Sequence, residues 1–370
     1  MRNRMTGLMA ASAVALMSGA AWADEIQVAV EAPITGSNAP FGEQLTRGAE
    51  QAVADINAKG GVLGKQLVLN KGDDACEPKQ AVAVAHQLAS KKVVFVDGGY
   101  CSGSSIPASA VYQEEGILQI SPASTAPAFT EDPFKAKWNN VYRTCGRDDA
   151  QGKVAGKYLA DHFKGKPVAI VDDKSTYGKG LASETRKAMN AAGLKEVVNE
   201  QIAVGDKDFS ALISKLKLAH VEAIYFGGYQ TEAGLLVRQA KEQGLDAVLM
   251  SGDAMATQEF WAISGPAGEG SLMTFPPDPR DNPAAKGIVE EFKKAGYDPE
   301  TYTLYSYAAV QVFAQAAEKA KSVKLADLAK ALHSTTFDTV VGQIKFDEKG
   351  DVLNPEYVFY VWKDGKYVQM

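Results

Sequence analysis

The sequence predicts an α/β fold built from two parallel-sheet units, and three observations carry that expectation. Apolar strand-like runs alternate with amphipathic helical patterns almost from end to end, small hydroxyl residues and glycines gather just after the strands, and the alternation starts afresh near Cys145. IQVAV opens the series, followed by a helix with Leu45, Ala49, Val53 and Ile56 on one face, which Gly60-Gly61 ends as a glycine cap should. QLVL, the helical AVAVAHQLAS, VVFV, ILQI and VYRTC complete the first unit. The second reads PVAIVDD, a helix over 177–192, the strand EVVNEQIAV, a helix over 209–218, EAIYFGG, another helix and AVLMSG. Past the turn TFPPDP the pattern changes to helices over 283–295, 304–320 and 325–332, then a β-rich tail, IKFDEKGD and YVFYVWKDGKYVQM.

The first residues, MRNRMTGLMAASAVALMSGAAWA, set two arginines before an apolar core and end in Ala21-Trp22-Ala23, so 1–23 are expected to be a cleaved signal peptide. The apolar run is short for a bilayer span. Export then delivers a soluble product outside the cytoplasm, without a lipid anchor, since the first cysteine is Cys76. Cleavage removes Arg2 and Arg4 and takes the net charge from −6 to −8, with no basic stripe, which argues against nucleic acid as a partner. Three cysteines in an exported chain imply one disulfide and a spare thiol. Cys76 and Cys101 are the favoured pair, because each follows a strand-like run where neighbouring parallel strands bring their loops together; Cys145 reads as a buried, inert thiol.

The stretch GGYCSGSS, 98–105, could be read as a nucleophile loop, a phosphate cradle or a seat. The glycine spacing does not fit a nucleophile elbow, and His86, His162, His220 and His333 all fall in or at the ends of helices among polar neighbours. Neither phosphate-loop spacing occurs, and no histidine pair has metal-ligand spacing, so neither a cofactor nor a metal is expected. A strand that ends in small residues and turns into a helix leaves backbone N–H groups for an anion such as a carboxylate. Ser121-Pro-Ala-Ser-Thr125 repeats the arrangement after the next strand, where ligands of open α/β sheets bind. The second unit offers Tyr177, Tyr229 and Asp253 at comparable positions, with Glu232 as an alternative carboxylate.

INAKGG, DDACEPKQAVAVA, EEGILQISPASTAP, DKDFSALI, FGGY, YAAVQ and DEKGD occur in that order, and with them nearly all of the chain after the leader resembles the leucine/isoleucine/valine-binding proteins of bacterial ABC importers. The resemblance implies a type I periplasmic binding protein: two Rossmann-like lobes joined by three crossings, 24–145 with 276–350 and 146–275 with 351–370. It implies that Ser102 and Thr125 take a ligand carboxylate, that the Ala123 carbonyl and Asp253 hold its ammonium, and that Tyr177, Tyr229 and Tyr302 line the cleft. Phe41 would cover the ligand side chain, with Tyr100, Cys101 and Ser124 completing the set, and Cys76–Cys101 matches the family disulfide. Two departures alter the pocket: aspartate at 253 where the family has glutamate, and tyrosine at 100 where it has leucine. The implied protein is a periplasmic monomer, not an enzyme, that binds a free neutral amino acid, aliphatic or branched, and presents it to a membrane permease. Proline, alanine or γ-aminobutyrate are the alternative ligands, a ligand sensor the alternative role, and a hydrolase using Ser102 the third reading.

Overall fold

The structure, a computed structural model, describes residues 25–370, and the expected leader lies outside the described residues. The first sheet comprises β1 (Ile26–Ala32), β2 (Leu67–Asp73), β3 (Phe95–Gly98), β4 (Leu118–Ser121) and β5 (Val141–Arg143), parallel throughout in the order β2-β1-β3-β4-β5. The helices α1 (Ala39–Ala58), α2 (Pro78–Ser90), α3 (Ser102–Glu114) and α4 (Ala128–Lys135) connect these strands. Every residue of β3 and β4 is buried, as expected where helices cover both faces of a parallel sheet.

The second sheet takes β6 (Val168–Asp172), β7 (Val198–Gln201), β8 (Ala223–Gly227), β9 (Val248–Ser251) and β10 (Leu272–Phe275) in parallel. Its helices are α5 (Asp148–His162), α6 (Thr176–Ala191), α7 (Ser210–Leu218), α8 (Gln230–Glu242) and α9 (Gln258–Ser264). The chain then returns to the first layer through α10 (Lys286–Lys294), α11 (Thr301–Ala320), α12 (Leu325–Ser334) and the hairpin β11 (Phe337–Thr339) and β12 (Gly342–Ile344). There α11 packs on α1 so closely that a side chain at Gly48 would begin 2.2 Å from the Thr303 carbonyl oxygen. The last strands, β13 (Val358–Lys363) and β14 (Lys366–Gln369), go back to the second sheet and pair antiparallel beside β10. The polypeptide therefore crosses between the layers three times: after β5, after β10 and before β13.

Some expected elements differ. The run over 283–295 is not one helix: the Asn282 side chain caps a 3-10 turn, Pro283–Ala285, before α10 begins. Helix α11 starts three residues before the first residue its periodicity suggested, which places Tyr302 in its first turn. EVVNEQIAV supplies only the four residues of β7, at the sheet edge, and β10 was hidden in the short run before the prolines. Cys76 and Cys101 are disulfide-bonded with Cα atoms 5.4 Å apart, although their strands are not neighbours; β2 and β3 flank β1, and the loops meet across its end. Cys145 is a free, buried thiol, and the four histidines are exposed.

Candidate functional site

The loops after β3 and β4 are bonded to each other by their own hydroxyls. β3 ends at Gly98, whose φ of 148° and position 2.2 Å from the Glu31 carbonyl oxygen for any added Cβ admit no side chain. Ser121 Oγ donates to the Gly99 carbonyl at 2.7 Å, Ser124 Oγ reaches the Gly99 and Tyr100 carbonyls at 3.0 and 3.2 Å, and Ser105 Oγ lies 2.6 Å from Ser124 Oγ. Ser102, at the start of α3, accepts the Ala126 N–H at 3.2 Å. The Ser124 hydroxyl is thus engaged between the two loops. The Thr125 hydroxyl is buried without a partner at ordinary hydrogen-bond geometry.

Arg143, which the sequence analysis passed over, holds this loop from below. It is fully buried at the end of β5 and donates to the Ser124 and Ala126 carbonyls at 2.6 and 3.1 Å and to Thr130 Oγ1 at 2.8 Å. Its Nε lies 2.8 Å from Asp351, whose other oxygen accepts from Arg147 Nη1 at 2.6 Å. One buried ion network therefore ties the Thr125 loop to the first and third crossings. An arginine ending an otherwise apolar strand was the signal.

Across the cleft, Asp253 follows β9 and accepts from Gln151 Nε2 at 2.8 Å, from the Tyr177 hydroxyl at 3.0 Å and from the Tyr302 hydroxyl. Tyr302 belongs to α11, so this last bond joins the two layers. Burial raises the Asp253 pKa against the pull of the two tyrosines. Asp148 is a second carboxylate that the sequence analysis missed. It begins α5, its N–H donates to the Thr125 carbonyl at 3.0 Å, and its two oxygens, wholly buried, have no hydrogen-bond partner at ordinary geometry. Burial first and the charge of Asp253 second push its pKa well up, with the Thr125 hydroxyl acting the other way. Glu232 is not part of this group; it accepts the Gly205 N–H at 2.8 Å within the second layer.

Five rings enclose the place where these groups converge. Phe41 stacks on Tyr100 at 4.3 Å between centroids, and Tyr100 meets Tyr302 edge-on at 5.7 Å and Tyr229 at 6.0 Å, with Tyr177 5.2 Å from Tyr229. Burial raises the phenol pKa of all four tyrosines, so they act as neutral donors. A cavity of about 320 Å³ adjoins the rings at Tyr229 and is lined from one layer by Asn38, Cys101 and Gly103 and from the other by Lys174 and Thr176. A separate cavity of about 380 Å³ lies among the crossings, bounded by Cys145, Pro276, Pro355 and Tyr305. It holds no such convergence of buried polar groups, so the chemistry favours the ringed cluster. That cluster brings hydroxyls and helix N–H groups together with two buried carboxyl groups, which suits a small zwitterion with an apolar body.

A family model described as periplasmic binding protein matches residues 25–366. The chain belongs to this family. The binding protein is 49% identical over 371 residues to Leu/Ile/Val-binding protein homolog 1 of Brucella melitensis, covering 99% of each chain. It is 44% identical over 362 residues to the leucine-, isoleucine-, valine-, threonine- and alanine-binding protein of Pseudomonas aeruginosa, covering 97% of this chain and 96% of that one. Its fold matches the branched-chain amino acid transporter substrate-binding protein LivJ of Streptococcus pneumoniae, solved with isoleucine, at a TM-score of 0.83 and 26% identity, with 94% of this chain and 100% of that chain covered. The fold is thus that of the type I periplasmic binding proteins, with two parallel-sheet lobes. Among the described residues, no helix is long and apolar enough to cross a membrane.

Proposed function

We propose that the binding protein is the substrate-binding component of an amino acid ABC importer, taking a neutral amino acid between its lobes in the periplasm and handing it to a membrane permease. The observation that carries this reading is Asp148, a wholly buried carboxylate whose oxygens meet no donor at ordinary geometry and have only the Thr125 hydroxyl beside them, close to Asp253. A carboxylate in such a place either keeps a proton or meets a cation. An α-amino acid brings that cation one carbon away from its own carboxylate, which Ser102, Thr125 and the N-terminus of α3 receive. In this reading Asp148, Asp253 and the Ala123 carbonyl share the ammonium, and Phe41, Tyr100, Tyr177, Tyr229 and Tyr302 surround the side chain. The lobes, 24–145 with 276–350 and 146–275 with 351–370, close because the ligand contacts both of them only in the closed form. No bond is made or broken.

The relatives named for leucine, isoleucine, valine, threonine and alanine support a neutral aliphatic ligand. Tyr100, stacked on Phe41, takes up room that a larger side chain would need, which favours the smaller members of that set. A thermal-shift screen of the amino acids, with proline and γ-aminobutyrate included, tests the reading. Saturable stabilisation by one or a few neutral amino acids is expected; stabilisation by none of them overturns it.

A further inference from the structure

Outside the ring of ligand-facing groups, one carboxylate bonds to both layers at once. Glu300 precedes α11, which packs on α1 in the first layer. Its Oε2 accepts from Gln44 Nε2 of α1 at 2.6 Å and from Thr257 Oγ1 at 3.0 Å, while its Oε1 accepts the Gln258 N–H at 2.9 Å. Thr257 and Gln258 open α9, in the second layer, a few residues past Asp253. Gln44 is itself fixed, since its side-chain amide oxygen Oε1 accepts the Tyr302 N–H at 3.1 Å. Two residues along from Glu300, Tyr302 donates to Asp253, so 300–302 and 253–258 form one seam between the lobes.

We infer that Glu300 is a positioning residue that latches the closed form: by gripping the 257–258 turn it holds Asp253 in register with Tyr302 and so sets how slowly the ligand leaves. It touches no ligand group itself, and a hydrogen bond to an ionised group is among the stronger ones available to such a seam. The inference rests on the proposed closure around an amino acid. A latch that forms only on closing slows dissociation and leaves association unchanged.

The test is stopped-flow binding of the full chain with whichever of leucine, isoleucine, valine, threonine and alanine the wild type binds best. Glu300→Ala should raise the dissociation rate about ten- to a hundredfold with association unchanged. Thr257→Val should raise it less, and the double variant should dissociate no faster than Glu300→Ala, because both changes break the same contact. Thr257→Val leaves the carboxylate in place and carries the test alone should Glu300→Ala not fold. An unchanged dissociation rate, or single effects that simply multiply, overturns the latch while leaving the binding function intact. Should the wild type bind none of the five but another neutral amino acid, that ligand is used in their place; should it bind no neutral amino acid, the functional reading fails and the latch, which rests on closure around that ligand, falls with it.

Discussion

Asp148 and Asp253 place two carboxyl groups in one buried cluster, and the structure treats them unequally. Asp253 already accepts from Gln151, Tyr177 and Tyr302, whereas Asp148 has only the Thr125 hydroxyl beside it and no donor at ordinary geometry. Asp148→Asn should therefore weaken amino acid binding by roughly 2 to 5 kcal/mol while costing the matching 2-hydroxy acid far less. Asp253→Asn turns an amide towards three donors and should weaken both ligands, the amino acid by the wider margin because part of its ammonium's counter-charge is lost as well, though by less than in Asp148→Asn. Calorimetry on the two variants separates these outcomes, and equal losses for both ligands in Asp148→Asn would contradict the assignment. Tyr100→Leu removes the ring stacked on Phe41 and should move the preference from alanine towards leucine, by about 1 to 3 kcal/mol in a competition titration; an unchanged ratio would show that Tyr100 does not limit the side chain. Sequence reasoning located the hydroxyl loops but could not divide their labour. Ser121, Ser124 and Ser105 bond loop to loop, which depends on the approach of two strands that the sequence does not display. Asp148 escaped notice because an acid in the first turn of a helix ordinarily faces solvent and complements the dipole, and only the packing of the two layers buries it.

Among the elements, helices with a continuous apolar face, such as α1, were legible to within a few residues, because burial of one stripe determines them. Strand β10 and the break before α10 were not, since prolines at 276, 277 and 283 interrupt the periodicity on which the reading depends. The disulfide was legible from compartment and loop position, yet it spans β1 where neighbouring strands had been expected. Replacing Cys76 and Cys101 together by serine should cost about 3 kcal/mol in denaturant unfolding, from the entropy the link removes from the unfolded chain. A loss within error of zero would show that the strain or residual order of the cross-linked chain cancels that gain. Burial drives the Cys145 thiol pKa well up, so it should resist alkylation in the native protein and react once the chain is unfolded; rapid labelling of the folded form would show that the crossing around it opens.

For the whole molecule, two α/β units could be read from alternation alone, but the three crossings could not. Nothing in the tail's composition says that β13 and β14 leave the α11 layer to rejoin the second sheet, and the family resemblance supplied that expectation. Long-range charge burial has a pH consequence for the entire fold. Burial pushes Asp74 and Asp173 up to about 6 and raises Glu31 and Asp97 well above the ordinary carboxylate range. All four folded pKa values exceed the unfolded ones, so for Asp74 and Asp173 the contribution to stability is fully present below about pH 4 and is lost as pH rises through about 6, and Glu31 and Asp97 act in the same sense. Asp73, partly buried but lowered on balance by hydrogen bonds from Thr35 and Ala75, and Asp149, half-buried but lowered by Arg147, act in the opposite sense and withdraw their support only below about pH 4. The ligand-free protein should therefore melt at a higher temperature at pH 5 than at pH 7; a lower melting temperature at pH 5 would mean that these acids are better solvated than their burial indicates.

The central claim is that the cleft reads both charges of an amino acid. Calorimetric titration of the wild-type protein with leucine, valine and alanine, each beside its 2-hydroxy acid, tests this most directly. At least one amino acid should bind, and its 2-hydroxy acid, lacking the ammonium, should bind about a hundredfold more weakly or worse. Equal affinities within a pair, or binding of the hydroxy acids alone, would contradict it.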